Sequence, residues 1–313
     1  SNIVVIAATN VNESGLDPAL MRAGRFDRKI YVNKPGLADR KKLFDYYLEK
    51  TQSDSQIDNN VLAKRTVGFS PADISNMVRE ASLITIRNKR GKITYKDLSG
   101  AYDRVVFGLR SQIVLSEKEK EWTAYHESGH AIIAYLTHPT DDVIKASIIP
   151  HRGALGYVGR RPKEEIYAPS REWFLANIKT FLAGYAAEKI KFNTTTSGVA
   201  SDFDAALDFA HDMVYRYGMG ESGLLGNFDA LGAGSGLNRS TFISEETKRK
   251  IDDDVQKILN NCLKEVEEIL IREKELLECF AQQLLAKSEL EYDEIVEIFK
   301  KHDKGPSKNS SGS

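Results

Sequence analysis

Apolar residues recur at helical spacing along most of this chain, which predicts a mainly α-helical protein. In the first part of the chain, turn residues and glycines separate four predicted helices, over residues 37–50, 58–66, 71–89 and 94–103. Later, the same spacing predicts helices over residues 117–137, 170–192 and, from 201, the stretch SDFDAALDFAHDMVYRYG. A charged segment, residues 244–302, predicts a hairpin of long helices followed by a short one.

The start of the chain has the pattern of β-strands instead. Residues 3–8, IVVIAA, form an apolar run typical of an interior parallel strand, and KIYV at 29–32 predicts a second strand after a short helix. Residues 143–150 and 153–160 predict a small β-hairpin. We therefore expect the end of an α/β sheet first, and a chain that begins within a strand suggests a fragment whose N-terminus lies upstream.

Some segment boundaries carry their own signals. Ser116 stands three residues before Glu119, which predicts a capping box at the start of the helix over 117–137. Ser201 is the expected N-cap of a later helix. Residues 220–243 are rich in Gly, Ser and Asn, which predicts a mobile surface loop, and 304–313 predict a flexible tail.

Composition narrows the function classes. The 313 residues suggest two domains, and 41% hydrophobic with 28% charged residues is typical of a soluble globular protein. The net charge of -1 gives no overall attraction to nucleic acid or anionic membrane. Cys262 and Cys279 have neither metal-ligand spacing nor a disulfide framework. The printed sequence shows no signal-peptide pattern and no apolar run of the length needed to span a bilayer.

The stretch WTAYHESGHAIIAYLTH carries the clearest chemistry. On a helix, His126 and His130 lie one turn apart on one face, where two neutral imidazoles can bind one zinc ion. Glu127 is placed to act as general base on a water at that metal. With six histidines in the chain, the odds that this motif arises by accident are roughly one in a hundred.

A catalytic zinc ion needs a third protein ligand, and spacing alone leaves it open. An extended form of the motif has Gly three residues and His six residues after its second histidine. It is excluded here, because those positions hold Ile133 and Leu136. Glu188, beside small apolar residues, and Asp202, at a helix start, are both candidates. Asp202 also has a purely electrostatic explanation, since carboxylates are common at helix N-termini.

An ordered set of motifs resembles the FtsH family of membrane-anchored, ATP-dependent zinc proteases over residues 2–300. VVIAATNVNESGLDPALMRAGRFDRKIYV resembles the end of an AAA+ ATPase core, and GFSPADISNMVREAS resembles the lid signature. HESGHAI, RGALGYV, LAGYAAEKIKF and TTSGVASDFDAALDFAHDMVYRYGMG resemble successive blocks of the peptidase domain.

The resemblance implies roles for the peptidase residues. His126, His130 and Asp202 would bind zinc, and Glu127 would be the general base. Glu188 would not bind the zinc ion itself but would hold the other ring nitrogen of a zinc-binding histidine. The strand ALGYV would be the edge along which an extended substrate lies.

It implies roles in the ATPase part as well. Asn10 would orient the attacking water, and Arg22 and Arg25 would be arginine fingers that reach a neighbouring subunit's nucleotide. Ala72 and Asp73 would lie in the lid near that nucleotide. Without the resemblance, surface salt bridges from the two arginines to Asp17 or Asp27 would be an equal explanation.

The resemblance also implies the organisation of the chain. We expect the end of an α/β AAA+ core over 1–34, a helical lid over 35–110, an all-α zinc peptidase domain with a small β-hairpin over 111–303, and a tail over 304–313. The phosphate-binding loop, the Mg²⁺-binding strand, the pore loop and the transmembrane segments are expected only in a complete parent protein, so the cofactors are Zn²⁺ here and ATP/Mg²⁺ there.

The function implied is a zinc endopeptidase fed by a hexameric AAA+ ring, homomeric or built with paralogues, that degrades misassembled membrane proteins and short-lived soluble ones. The parent would be anchored in a bacterial inner membrane facing the cytoplasm, or in an organelle inner or thylakoid membrane, with this fragment soluble and no nucleic-acid partner. Two alternatives remain: a protease-silent AAA+ partner or chaperone, and an unrelated zinc hydrolase with Glu188 as ligand.

The chain departs from the family pattern at a few positions. Pro71 stands where Gly is usual, Ser128 replaces Ala, Tyr185 replaces Arg, and SGVASD replaces TGASND. None of these changes removes a ligand or the base.

Overall fold

The structure is a computed structural model that describes residues 3–304, apart from 12–14, 23, 27, 109, 112, 152, 164, 165, 167 and 224–243. The loop predicted over 220–243 lies almost entirely outside the described residues, and so does the tail predicted beyond residue 304.

The first four helices follow the predicted pattern closely: α1 (Leu37–Glu49), α2 (Asn59–Arg65), α3 (Pro71–Arg87) and α4 (Tyr95–Phe107). Two capping boxes begin them. Ser70 and Asp73 exchange hydrogen bonds at the start of α3, and Thr94 and Asp97 do so at the start of α4. The apolar faces of the four helices meet in one core that includes Phe44, Leu62, Ile74, Met77 and Leu98.

The described residues of the second part of the chain form six more helices: α5 (Glu117–Thr137), α6 (Arg171–Phe192), α7 (Ala200–Tyr215), α8 (Glu245–Arg272), α9 (Lys274–Lys287) and α10 (Tyr292–Lys301). The predicted capping box of α5 is confirmed, because the Ser116 hydroxyl accepts from Glu119 N–H and the Glu119 carboxylate accepts from Ser116 N–H. Of the helices in the described ranges, none is both long and apolar enough to cross a membrane.

The predicted N-cap at Ser201 is wrong. A 3₁₀ turn, Ser197–Val199, comes directly before α7, and the helix begins at Ala200. Thr196 caps that turn with its side chain, so the polar cap lies five residues earlier than the pattern indicated. Ser201 is consequently a residue of the first turn of the helix.

The predicted hairpin is present as the antiparallel pair β1 (Asp141–Ser147) and β2 (Tyr157–Pro162), although β2 begins four residues later than expected. A third strand, β3 (Glu289–Glu291), pairs antiparallel with β1 in the order β2-β1-β3. The long helices and the short helix predicted over 244–302 are present, but the strand between the last two of them was not predicted. Three residues are too few for a period-2 pattern, and pairing with β1 creates the strand.

α6 lies between two cores. On one side it packs against α5, whose apolar face also contacts β1, α9 and α10, and on the other it packs against α7 and α8. α5 and α6 approach closely at Gly129, where an added Cβ would come within 2.5 Å of the Ala183 carbonyl oxygen. Because backbones at this separation leave no room for a side chain, the two helices are held at a fixed distance.

The two parts of the chain meet at a buried ionic network. Lys145 on β1 is 3% exposed, and its ammonium lies 2.8 Å from Asp103 on α4, 3.0 Å from Glu291 and 3.3 Å from Glu289 on β3. Arg65 on α2 approaches Asp103 from the other side at 3.6 Å. The network ties the four-helix part to the central strand of the sheet.

The expectation of two strands and a short helix before residue 34 is not met. Residues 3–10 and 28–34 contain no strand, and residues 18–21 form turns in place of the helix. The apolar side chains there are exposed, Ile6 at 88% and Val32 at 93%. An interior strand needs paired neighbours for its backbone hydrogen bonds, and the described part of the chain supplies none.

Candidate metal centre

The histidines of the HESGH motif share one face of α5, as the helical spacing predicts. Their rings lie edge to face with centroids 4.6 Å apart, and His126 Nε2 lies 2.9 Å from His130 Nε2. Each ring therefore directs its Nε2 atom to one point beside the helix.

Asp202, in the first turn of α7, reaches the same point. Its Oδ2 lies 3.2 Å from His126 Nε2 and 3.3 Å from His130 Nε2. The three atoms form a nearly equilateral triangle. Among the described residues, these three side chains form the group of His, Cys, Asp and Glu donors close enough together to hold a metal ion.

The triangle fits a tetrahedral zinc ion. With metal–ligand distances of about 2.0–2.1 Å, neighbouring ligand atoms are separated by about 3.3–3.4 Å. The observed edges of 2.9, 3.2 and 3.3 Å lie within a few tenths of an ångström of that value. Two nitrogens and a carboxylate oxygen are also the donor set that zinc accepts in catalytic sites.

The other ring nitrogens set the tautomer that a metal requires. His130 Nδ1 lies 2.6 Å from the Thr180 carbonyl oxygen, which can only accept, so Nδ1 carries the proton and Nε2 is left with its lone pair. His126 Nδ1 lies 2.8 Å from Glu188 Oε1 and is held in the same way.

Glu188 and Asp202 lie on opposite sides of the His126 ring. Glu188 contacts Nδ1 of His126, on the opposite side of the ring from the triangle, whereas Asp202 contacts Nε2 of both histidines. Glu188 is buried, 2% exposed, and also accepts hydrogen bonds from Thr196. The carboxylate of Glu188 is thus placed to orient a ligand, and that of Asp202 to act as one.

The charges around the triangle favour a cation. Burial by itself lowers the pKa of His126, but hydrogen bonds to Asp202 and Glu188 outweigh it and raise that pKa to about 10. The pKa of Asp202 is held well below its usual range: burial opposes the shift, and hydrogen bonds from His126 and His130 outweigh it. Both shifts reflect carboxylate charge gathered around the two rings, which a divalent cation at this point would offset.

Glu127 lies beside the triangle with its side chain directed at the loop before β2. It is 6% exposed, and burial raises the pKa of its carboxyl group, partly offset by the nearby histidines. An added Cβ on Gly156 would come within 2.7 Å of Glu127 Oε1, so the base rests against the Gly156 backbone. A carboxylate with a raised pKa next to a metal site is suited to take and return a proton.

A groove of about 990 Å³ passes over these residues. One wall is the segment that leads into β2, and the other comes from α5, α6 and the loop before α7; the lining includes Trp122, Leu155, Val158, Phe181 and Thr195. Because β2 is at one edge of the three-stranded sheet, the groove runs along an unpaired strand edge in the described part of the protein.

Sequence reasoning missed several residues that shape this centre. Thr180 orients His130, and Thr196 binds Glu188. Gly184 makes room for His126, since an added Cβ would fall 2.4 Å from the ring atom Cε1. The run of small residues around Gly184 was a usable signal for close helix packing, but no pattern indicated that a ring would occupy the space.

The residues predicted to serve a nucleotide lie in the first part of the chain. Asn10, Arg22 and Arg25 are exposed, and Arg25 Nη1 donates to the Ala19 carbonyl oxygen at 2.8 Å. Ala72 lies in the first turn of α3 beside Asp73, whose carboxylate caps that helix by accepting from Ser70. The nucleotide roles of these five residues stay predictions.

The departures from the family pattern are accommodated locally. Pro71 is the first residue of α3, where its missing N–H has no helical partner to lose. The Ser128 hydroxyl donates to the Ala124 carbonyl oxygen one turn earlier on α5. The Tyr185 ring packs against Phe203 of α7, with centroids 5.1 Å apart.

Comparison with known proteins places these elements in families. The family model described as peptidase family M41 matches residues 113–298, and the model of the AAA+ lid domain matches residues 60–100.

Among similar proteins is an ATP-dependent zinc metalloprotease FtsH 4 of Synechocystis, 39% identical over 305 residues, which cover 94% of this chain and 48% of that protein. The FtsH of Thermotoga maritima is 39% identical, with 95% and 49% covered, and that of Caulobacter vibrioides is 38% identical with the same coverage. The chain spans about half the length of these relatives.

Proposed function

The chain belongs to peptidase family M41, and from this premise we propose that it is the zinc endopeptidase part of an ATP-dependent, membrane-bound protease. The substrates are unfolded or misassembled membrane proteins and short-lived soluble proteins. The observation that carries the proposal is the triangle of His126 Nε2, His130 Nε2 and Asp202 Oδ2, with edges of 2.9, 3.2 and 3.3 Å.

Within this proposal His126, His130 and Asp202 hold the zinc ion. A bound zinc ion supplies Lewis acidity, which polarises a substrate carbonyl and makes water a better nucleophile at neutral pH. Glu188 and the Thr180 carbonyl oxygen keep the two imidazoles in the tautomer and orientation that binding needs. Both outer contacts are hydrogen bonds to Nδ1, so they leave Nε2 free to bind.

Glu127 is the general base. Its carboxylate takes the proton of the attacking water and returns it to the amine that leaves when the peptide bond breaks. Burial of Glu127, with the Gly156 backbone against its oxygen, restricts it to one orientation toward the groove.

The substrate lies extended in the groove along the outer edge of β2. The β2 edge offers backbone N–H and C=O groups that pair with any extended chain, regardless of its side chains. Such main-chain recognition suits a protease whose substrates share an unfolded state and no particular sequence.

Delivery of substrate is assigned to an AAA+ ring in the complete protein. The AAA+ lid match and the names of the relatives support an oligomeric ATP-dependent assembly, which we propose is a hexamer anchored in a membrane. In this scheme residues 1–34 belong to the ATPase core, 35–110 to its lid and 111–303 to the peptidase domain. Asn10, Arg22, Arg25, Ala72 and Asp73 then face nucleotide, with ATP and Mg²⁺ bound only in the complete protein.

The test is cleavage of a fluorescent, unfolded protein by the zinc-loaded chain, with and without a zinc chelator. Glu127→Gln is expected to keep its zinc and lose cleavage, because the ligands remain and the base is gone. His126→Phe is expected to lose both. Cleavage by Glu127→Gln at the wild-type rate would overturn the assignment of the base.

The same assay tests the alternative hypothesis that the chain is part of a protease-silent AAA+ partner or chaperone. A folded, zinc-loaded wild-type chain that fails to cleave even short unfolded peptides, which need no ATP-driven delivery, would favour the silent-partner reading. Zinc content, measured by atomic absorption on each variant, separates a lost metal from a lost base.

A further inference from the structure

Thr196, in the loop between α6 and α7, forms hydrogen bonds in two directions: to Glu188 and to Gly198. Thr196 N–H donates to Glu188 Oε2 at 2.6 Å, and the Thr196 hydroxyl donates to Glu188 Oε1 at 3.2 Å. The same hydroxyl oxygen accepts from Gly198 N–H at 3.3 Å. A hydroxyl that donates on one side and accepts on the other has its orientation determined.

The first direction leads to His126. Glu188 is buried, and a buried carboxylate needs hydrogen-bond donors to offset its lost hydration. Its Oε1 binds both the Thr196 hydroxyl and His126 Nδ1, so Thr196 and His126 share one oxygen. Loss of the hydroxyl leaves Glu188 with one donor fewer and freer to rotate, and the His126 ring follows it.

The second direction leads to Asp202. Gly198 belongs to the 3₁₀ turn Ser197–Val199, which Thr196 caps and which continues directly into α7. Asp202 is the third residue of that helix. The cap therefore determines where α7 begins and, through it, where the Asp202 carboxylate lies.

We propose that Thr196 is a positioning residue that couples the two arms of the metal centre: the Glu188–His126 pair on one side and the helix start that carries Asp202 on the other. The proposal rests on the proposed zinc function. Thr196 is not one of the three donors of the triangle, and it acts through Glu188 and through the 3₁₀ turn.

The test measures affinity for zinc alone, by competition with a chromophoric chelator, on the full chain. Thr196→Val keeps the shape and removes the hydroxyl, and it is expected to bind zinc about tenfold more weakly, at the lower end of the effect of residues that orient metal ligands. Thr196→Ser restores the hydroxyl and is expected to bind within about twofold of wild type. Thr195→Val, on the same groove wall, is the matched control and is expected to leave affinity unchanged.

A double-mutant cycle gives a readout that a general loss of structure would not produce. In a Glu188→Ala background, the loss caused by Thr196→Val is expected to shrink at least threefold, because one of its two routes is already removed. Thr196→Ala is run beside Thr196→Val, so that a poorly folded valine variant does not decide the result.

The outcomes separate the two proposals. Wild-type affinity in Thr196→Val and Thr196→Ala, equal loss in Thr196→Ser, or an unchanged loss in the Glu188→Ala background would each overturn the role of Thr196. Asp202→Ala is measured in parallel. If wild type and Asp202→Ala bind zinc alike, the proposed zinc centre itself is wrong and this inference is overturned with it.

Discussion

The backbone of Gly156 lies directly against the carboxylate of Glu127. A Cβ built on Gly156 would come within 2.7 Å of Glu127 Oε1 and 2.8 Å of Glu127 Cγ, and it would also meet the Ser147 carbonyl oxygen at 2.7 Å. The segment that leads into β2 is therefore in direct contact with Glu127, the proposed general base, so a displacement of one displaces the other.

Gly156→Ala is expected to displace Glu127 and to lower kcat about 100-fold, because a shift of about 1 Å at a catalytic group has an effect of this size. Zinc content is expected to stay at the wild-type level, since the three ligands lie on other residues. The measurement is peptide cleavage together with metal analysis. Gly159→Ala is the matched control three residues further on, within β2, where the added Cβ meets Lys145 Cβ at an ordinary 3.5 Å. Equal activity in both variants would show that Glu127 tolerates the displacement.

The third ligand can be tested by two carboxylate deletions. Asp202→Ala is expected to abolish stoichiometric zinc retention through gel filtration, because it removes one corner of the triangle. Glu188→Ala is expected to keep the ion but to bind it about 10–100-fold more weakly, as is typical when the partner of a histidine ligand is lost. Both are followed by atomic absorption. The reverse order of effects would assign the ligand role to Glu188.

Lys145→Met is expected to reduce the free energy of unfolding by about 3–5 kcal/mol, because it removes the buried ammonium that Asp103, Glu289 and Glu291 share and leaves Asp103 with Arg65 alone. Urea unfolding followed by circular dichroism measures the change. Lys41→Met is the matched control, since it removes an exposed i, i+4 pair with Asp45 worth about 0.3–0.5 kcal/mol. A loss of similar size in both variants would contradict a structural role for the buried network.

Stability is expected to fall as the pH drops from about 6.5 to about 4, with a contribution from His138. This ring is fully buried, its Nδ1 accepts from Asp141 N–H at 3.0 Å, and burial lowers its pKa from 6.5 to about 4 although Asp141 opposes the shift. Within that window the unfolded chain binds a proton that the folded chain does not, so protonation favours unfolding. Above about 6.5 the ring is neutral in both states and the contribution is fully present.

The measurement is urea unfolding at several pH values in the presence of a chelator, for wild type and His138→Gln. One proton contributes at most about 1.4 kcal/mol per pH unit, and the variant is expected to lose that part of the slope between pH 6.5 and 4. NMR titration of the His138 ring checks the cause directly. An identical slope in wild type and variant, or ring titration near 6.5, would contradict this account.

Much of the architecture was determined by local sequence. Helix starts at Ser70, Thr94 and Ser116 follow from capping boxes, which depend on residues three positions apart. The juxtaposition of His126 and His130 follows from the helical repeat alone. These features involve neighbours along the chain, so they can be read from a single sequence.

Other predictions from the sequence were wrong or incomplete, and each for a physical reason. The strands expected at residues 3–8 and 29–32 are absent from the described structure because a strand depends on pairing partners, and a pattern cannot show whether they are present. β3 was missed for the converse reason, since three residues become a strand only by pairing with β1. Ser201 was mistaken for a cap because the real cap, Thr196, precedes a 3₁₀ turn.

What only the tertiary structure decided is the convergence at the metal centre. Sequence alone left Glu188 and Asp202 as equal candidates, 62 and 76 residues from His126 along the chain. The packing of α6 against α5 directs Glu188 to Nδ1, and the turn before α7 directs Asp202 to Nε2. The two nitrogens point to opposite sides of one ring. Which carboxylate reaches which side depends on helix packing, and no spacing in the sequence encodes it.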